Sequence, residues 1–462
     1  MTNTLPSRPS ERARNSAVGE FRHKRTATDI GLGLIAPLLS SELLDRYGLR
    51  GPLNRGLKYG VRQAFSAAGA STRQFKKIQG LGKPPTRLAA TGADYFDLTP
   101  DDDQKMIVDT VEQFAEEILR PAARAADDAA AYPADLIAKA AELGITAIKV
   151  PEDFDGIAEH RTTVTNALVA EALAYGDMGL ALPILAPGGV ASALTHWGSA
   201  DQQATYLAEF AGDNVPQACL AIAEPQPLFD PTACRTTAVR TPSGYRLDGV
   251  KSLVPAAADC ELFVIAAQFN GRPNLFIVEA DTPGVTVTPD RSMGLRGAAL
   301  GKVVLEKVSV PLSARLGEDA DEAVHQRNFS EAIALSRLGW AALAVGTSHA
   351  VLDYVIPYVK EREAFGEPVA RRQAVAFMCA DIAIELDGLR LITWRGAARA
   401  DQGLPFAREA ALAKKLGTDK GMRIGLDGVQ LLGGHGYTKE HPVERWYRDL
   451  RAIGVAEGVV VL

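Results

Sequence analysis

Cysteine is scarce in this chain, with four residues among 462, at positions 219, 234, 260 and 379. They stand far apart and form no C-x-x-C pair, which argues against a zinc site and a disulfide framework and leaves reduced, buried thiols. Histidine is nearly as rare, at seven residues. His435 and His441 lack metal-ligand spacing and read as loop or surface residues, so no metal is expected. No apolar run approaches the roughly 20 residues of a membrane span, and the first thirty residues lack the charged-then-apolar order of a secretory signal. These absences lead to the expectation of a globular protein of the cytoplasm, with no nucleic-acid partner.

What is present is unevenly distributed. The net charge is −6, yet residues 1–95 hold 16 Lys/Arg against 6 Asp/Glu, which leaves the remainder at −16. The opening stretch is polar and rich in Arg and Ser and reads as disordered. Two later stretches, IGLGLIAPLLSSELLDRYGL and LNRGLKYGVRQAFSAAG, read as short amphipathic helices with basic faces, suited to the chain's own acidic body, to a partner or to peripheral contact with an anionic membrane. A Gly/Pro-rich linker follows, and Thr99-Pro100-Asp101 marks a helix start with threonine as the cap. Helical periodicity then runs through 97–218, with segments at 133–143, 162–175, 189–197 and 202–210.

From Cys219 the period changes to two, and Thr241-Pro242-Ser243-Gly244 and Asn270-Gly271 supply turns between apolar runs. The predicted domains are therefore a basic extension over 1–95, an all-α domain over 97–218, an antiparallel β domain over 219–316 and an α bundle over 319–462. In the last, helices over 326–361, 369–401 and 405–432 match a four-helix bundle with short connections. The fold class is α+β.

Two motifs carry the chemistry. The stretch REAFGEP contains Arg362, Phe365, Gly366 and Pro368; alone it reads as a helix ending at Phe365 with Gly366 as its cap. The stretch from Gln430 to Gly458 joins a glycine loop, Gly433-Gly434-x-Gly436-Tyr437, to an arginine-rich segment and ends on Glu457. Together they closely resemble the C-terminal signatures of the acyl-CoA dehydrogenases, flavoproteins that introduce a double bond between the α and β carbons of an acyl thioester. The α, β, α order is similar to that family's fold, over roughly 95–462. The resemblance implies FAD as cofactor, an acyl-CoA substrate and an electron-transfer flavoprotein as electron acceptor. It implies Glu457 as the base that removes the α-proton; a second family position for the base is held by Ser336, which cannot serve. It also implies that Arg362, Phe365, Gln373, Gln430, Gly433 and Gly434 contact the cofactor of a neighbouring subunit. Arg337 resembles the family's arginine near CoA, and equally suits an ion pair. A neighbour that shares its flavin implies a homo- or hetero-tetramer.

The β domain departs from the pattern. A stretch like T-E-P-x-x-G-S-D reads Ala223-Glu224-Pro225-Gln226-Pro227-Leu228-Phe229-Asp230, and Leu253-Val254-Pro255 stands where Trp-x-Thr is expected. Val459 replaces a threonine. The chain keeps what it would lend to a neighbour and has changed what it would use itself, which fits half of a pair of unlike subunits. Two readings follow: a dehydrogenase, or a subunit without an active site of its own that completes a paralogue's flavin site. A flavin oxidase or monooxygenase on the same fold leaves Glu457 without a task.

Overall fold

A computed structural model describes residues 99–158, 162–212, 214–318 and 320–462. The expectations for residues 1–95, namely disorder, basic helices and membrane contact, lie outside the described residues.

Helix α1 (Asp102–Phe114) begins at a reciprocal cap. The Gln104 N–H donates to Asp101 Oδ1 at 2.8 Å, and the Asp101 N–H donates to Gln104 Oε1 at 3.1 Å. The cap lies two residues beyond Thr99 because an aspartate three residues before a glutamine satisfies two end groups at once. A π turn at Ala115–Leu119 leads into α2 (Arg120–Ala129), followed by α3 (Leu136–Ala141), α4 (Thr163–Gly176), α5 (Met178–Trp197) and α6 (Ala200–Tyr206). Patterning alone places helix only over 189–197 in α5, and the part it leaves out contains Pro183 and Pro187. The helix starts eleven residues earlier, where Asp177 accepts the Leu180 N–H at 3.0 Å. It carries no charged residue and is long and apolar enough to cross a membrane, contrary to the absence of such a run read from the sequence. It is nevertheless a core helix, buried along nearly its whole length by the surrounding protein.

The β region is one seven-stranded sheet: β1 (Ala218–Ala221), β2 (Thr237–Thr241), β3 (Gly244–Val254), β4 (Leu262–Phe269), β5 (Arg272–Glu279), β6 (Val285–Pro289) and β7 (Gly301–Pro311), in the order β1-β4-β2-β3-β7-β6 with β5 also on β4. Most neighbours are antiparallel. The β4–β5 hairpin turns at Asn270 and Gly271, which take φ of 51° and 74°, the left-handed pair its Asn-Gly sequence favours. The exceptions are β1 and the start of β2, which run parallel to β4. Short apolar strands show no direction in their composition, and here the chain enters the sheet from the helical layer.

The C-terminal region holds α7 (Glu322–Glu361), α8 (Gln373–Asp401), α9 (Ala407–Leu416), α10 (Met422–Leu432) and α11 (Val443–Leu450). A π turn at Gly417–Gly421 makes α9 and α10 one rod. Helix α4 packs along α7, and its first N–H groups, on Thr163 and Val164, donate to Asp401 at the end of α8 at 2.7 and 2.9 Å. Residues 459–462 are buried between α5, α7 and β1: the Val459 N–H donates to Leu220 O at 2.9 Å, and a side chain at Gly339 would strike Val460 O at 2.5 Å. The close approach of α7 to this segment therefore needs glycine at 339.

Candidate active site and cofactor face

Glu457 sits at a junction of three elements. A β-bridge pairs Gly458 with Ala221 of β1. From α7, Ser336 Oγ and Trp340 Nε1 donate to Gly458 O at 2.7 and 2.9 Å, which fixes the turn carrying the glutamate. Arg337, also from α7, donates to Glu457 Oε1 from Nε and Nη2 at 3.3 and 3.2 Å. Lys414 of α9 reaches the same oxygen at 3.9 Å and donates to Ala456 O. The other carboxylate oxygen, Oε2, is buried and has no hydrogen-bond partner among the described residues. A buried acceptor without a donor is costly, on the order of 1–3 kcal/mol, unless something outside the chain meets it.

Arg337 thus makes the ion pair that its helical position allowed. Ser336 holds the turn of the base. Lys414 is a residue that sequence reasoning missed. It stands 43 positions before Glu457 in an ordinary helical stretch, and only the chain's return brings them together.

A second place lies at the far end of α7. The helix stops at Glu361, not at Phe365; residues 363–368 form a two-stranded hairpin, β8 (Glu363–Ala364) and β9 (Glu367–Pro368), with Phe365 and Gly366 at its tip. Both tip residues have positive φ, 56° and 80°, as a type I′ turn requires. For phenylalanine that conformation costs roughly 1–2 kcal/mol, and its ring is 96% exposed. Beside the hairpin is a cavity of about 540 Å³ lined by Arg362, Val375, Met378, Gln430, Gly433 and Gly434 among others. Gln373 opens α8 at its edge. The side chains of Arg362, Gln373 and Gln430 have no polar partner among the described residues, and all three are exposed.

Gly433 has φ 59° and ψ −132°, a conformation suited to glycine. A Cβ at Gly434 would meet nothing within 4 Å, so the chain's own packing does not require glycine there. A free guanidinium, two free amides and an open glycine loop around an apolar cavity fit a diphosphate joined to flat rings. The residues expected to bind cofactor therefore gather here, with Phe365 on the adjoining hairpin. Glu457 and Arg337 do not join them. Arg337 and Arg362 are 25 residues apart along α7 and its cap, about 37 Å at 1.5 Å per residue.

The altered β stretches lie on the Glu457 side. Glu224 is internal: it accepts the Arg235 N–H, the Thr236 N–H, the Thr236 hydroxyl and the Lys251 ammonium at 2.6–2.9 Å. Burial opposes its ionisation, but Lys251 and these hydrogen bonds outweigh it and hold the carboxyl below its ordinary range. Leu228 is fully exposed at φ 53°, and Leu253 and Ala256 take φ of 56° and 48°. Asp230 lies within the field of Arg337.

The arginine-rich segment proves to be a joint. Arg448 forks onto Asp127 at 2.9 and 2.8 Å, Arg445 pairs with buried Asp177 at 2.9 Å, and Asp449 accepts the Leu295 N–H at 2.5 Å. His435 and His441 bond Tyr358 and Tyr354. No cluster of metal-ligating residues occurs among the described residues.

Three family models match the chain. The acyl-CoA dehydrogenase N-terminal domain covers residues 101–213, the middle domain 219–308 and the C-terminal domain 327–459. An acyl-CoA dehydrogenase of Bacillus subtilis (strain 168) is 31% identical over 366 residues, 77% of this chain and 94% of that protein. The butyryl-CoA dehydrogenase of Megasphaera elsdenii superposes with a TM-score of 0.71 at 27% identity, over 79% of this chain and 96% of that chain. A glutaryl-CoA dehydrogenase of Mycobacterium smegmatis in complex with FADH2 gives 0.68 at 25% identity, over 77% and 90%.

Proposed function

The chain belongs to the acyl-CoA dehydrogenase family, and we propose that it is an FAD-dependent dehydrogenase that forms an α,β double bond in a CoA thioester. The observation that carries the reading is the Glu457 carboxylate: buried, held at one oxygen by two cations, and with its other oxygen unmet among the described residues. A fixed carboxylate with a free lone pair is what abstraction of an α-proton needs. Bound FAD would supply the acceptor for the β-hydride, since no side chain accepts hydride. Its electrons would pass to an electron-transfer flavoprotein.

The 37 Å along α7 divides the work. Arg362, Phe365, Gln373, Gln430 and the Gly433-Gly434 loop serve the flavin of an adjacent subunit, while Glu457 acts in the chain's own half of the site. An assembly of subunits is then obligatory, homomeric or with a paralogue. A stripe on α8 supports this: Phe377, Ile384 and Leu391, seven residues apart, are 63%, 67% and 56% exposed. For Glu457→Gln, the expectation is loss of thioester-driven flavin bleaching by about 10²–10⁴-fold with flavin still bound; turnover close to wild type would remove Glu457 from the mechanism.

One set of observations favours the second reading, a partner subunit that completes a paralogue's site. Leu228, Phe229 and Leu253 stand where the family offers glycine, a hydroxyl and an aromatic wall, and each lost hydroxyl removes about 0.5–1.5 kcal/mol of net hydrogen bonding. On that reading the chain alone is colourless, and its mixture with the paralogue is yellow.

A further inference from the structure

We infer that Lys414 is a positioning residue for the Glu457 carboxylate, keeping Oε1 engaged so that Oε2 is the oxygen presented to substrate. The inference rests on the reading of Glu457 as the base. Arg337 and Lys414 approach the same oxygen from different helices, α7 and α9, and they differ in freedom. The Arg337 side chain is 31% exposed and has a route to solvent; that of Lys414 is 12% exposed. The Lys414 ammonium is tied to Ala456 O, one residue before the glutamate, and lies 5.9 Å from the centre of the Trp340 ring. Trp340 in turn donates to Gly458 O, one residue after it. Backbone on both sides of Glu457 and one of its carboxylate oxygens are thereby joined to a single buried cluster.

The arrangement orients a carboxylate by occupation. With both cations on Oε1, rotation of the carboxylate about its terminal bond would strip two charge-assisted contacts, so the free lone pairs of Oε2 keep one direction. Arg337 alone would not secure this when substrate enters, because it sits at the open side of the site, in electrostatic contact with Asp230. Among the described residues, the charged groups facing Glu457 are Arg337 and Lys414. Burial, opposed by Glu457 and reinforced by Arg337, brings the Lys414 ammonium down to about 8, so its charge is lost within an accessible pH range.

The test is anaerobic bleaching of the flavin by butyryl-CoA across pH, using full-length chain in whichever assembly carries flavin. Four proteins are compared: wild type, Lys414→Met, Lys414→Arg and Glu457→Gln. Methionine keeps an apolar stem against Trp340 and loses the N–H donors. Lys414→Met should lower the maximal rate about 100-fold, the scale of a small misplacement of a reacting group, with little change in KM. The alkaline limb set by the Lys414 ammonium, near pH 8 in wild type, should be missing from its rate profile. Lys414→Arg should restore the rate to within a few-fold and abolish the fall above about pH 8 expected of wild type.

A purely structural lysine would lower thermal stability and leave the pH profile in place. Lys414→Met with wild-type rate and profile, beside an inactive Glu457→Gln, would overturn the inference and spare the base. An active Glu457→Gln would instead overturn the base assignment itself. Should Lys414→Met not fold, the comparison of wild type with Lys414→Arg decides: the same alkaline limb in both contradicts the role of Lys414.

Discussion

The two ends of α7 carry polar groups of opposite kinds. At the hairpin end, Arg362, Gln373 and Gln430 are exposed and without polar partners among the described residues, and a side chain at Gly434 would meet open space. At the Glu457 end, the polar groups of the β stretch are consumed internally: Glu224 by Thr236, Arg235 and Lys251, and Asp290 by Ser252 and Leu253. The first face offers polar groups that no described residue engages. At the second, the β stretch has closed in on itself, at the expense of left-handed backbone at Leu228, Leu253 and Ala256. The donors a subunit lends and the contacts it uses can therefore diverge independently, because they lie on separate parts of the fold.

The comparison breaks most sharply at Arg362. Arg362→Ala removes a guanidinium without a polar partner among the described residues, so thermal stability should hold while flavin affinity of the assembly falls about 10- to 100-fold, the equivalent of one charge-assisted contact. Titration with FAD reads this, and unchanged affinity would show the hairpin face to be unrelated to cofactor. Gly434→Val tests the same face sterically: the fold accepts the side chain, whereas flavin content should drop about tenfold if another molecule's cofactor approaches there.

A smaller effect concerns the joint that holds the two ends in register. Burial, followed by the charge of Asp177, raises the Asp449 carboxyl from 3.8 to about 7. The folded chain then keeps a proton that the unfolded chain releases, so this contribution to stability is full below about pH 4 and is lost as pH rises towards 7. In Asp449→Asn the decline in melting temperature across that window should become shallower, and an unaltered slope would show that Asp449 does not hold the proton. The smallest change is expected at Leu228, where glycine would relieve left-handed strain: Leu228→Gly should gain at most about 1 kcal/mol in denaturant unfolding.

Much of this was legible in the sequence, and the rest was hidden for physical reasons. The order of helices, strands and helices followed from periodicity, and the Asn270-Gly271 hairpin from turn chemistry. Helix α5 was half hidden by Pro183 and Pro187, which a helix tolerates when its neighbours bury it completely. The sequence of the hairpin at 363–368 also suits a helix end, since Phe-Gly before proline fits both, and only an exposed phenylalanine in left-handed backbone distinguishes them. Parallel pairing of β1 with β4 leaves no mark on composition. At the site, the motifs named Glu457 and the hairpin residues, but not that Arg337, the partner of Glu457, lies about 37 Å along α7 from Arg362. Lys414 had no signal at all: its role depends on a contact made across the fold, by a residue type that usually faces water.

The most direct test of the account is the visible spectrum of the full-length chain, alone and co-expressed with a paralogue, with flavin-to-protein ratio and anaerobic response to a CoA thioester. The account predicts a yellow assembly that the thioester bleaches, with Glu457→Gln equally yellow and not bleached. A colourless chain in both preparations, or bleaching that survives the loss of the Glu457 carboxylate, would contradict it.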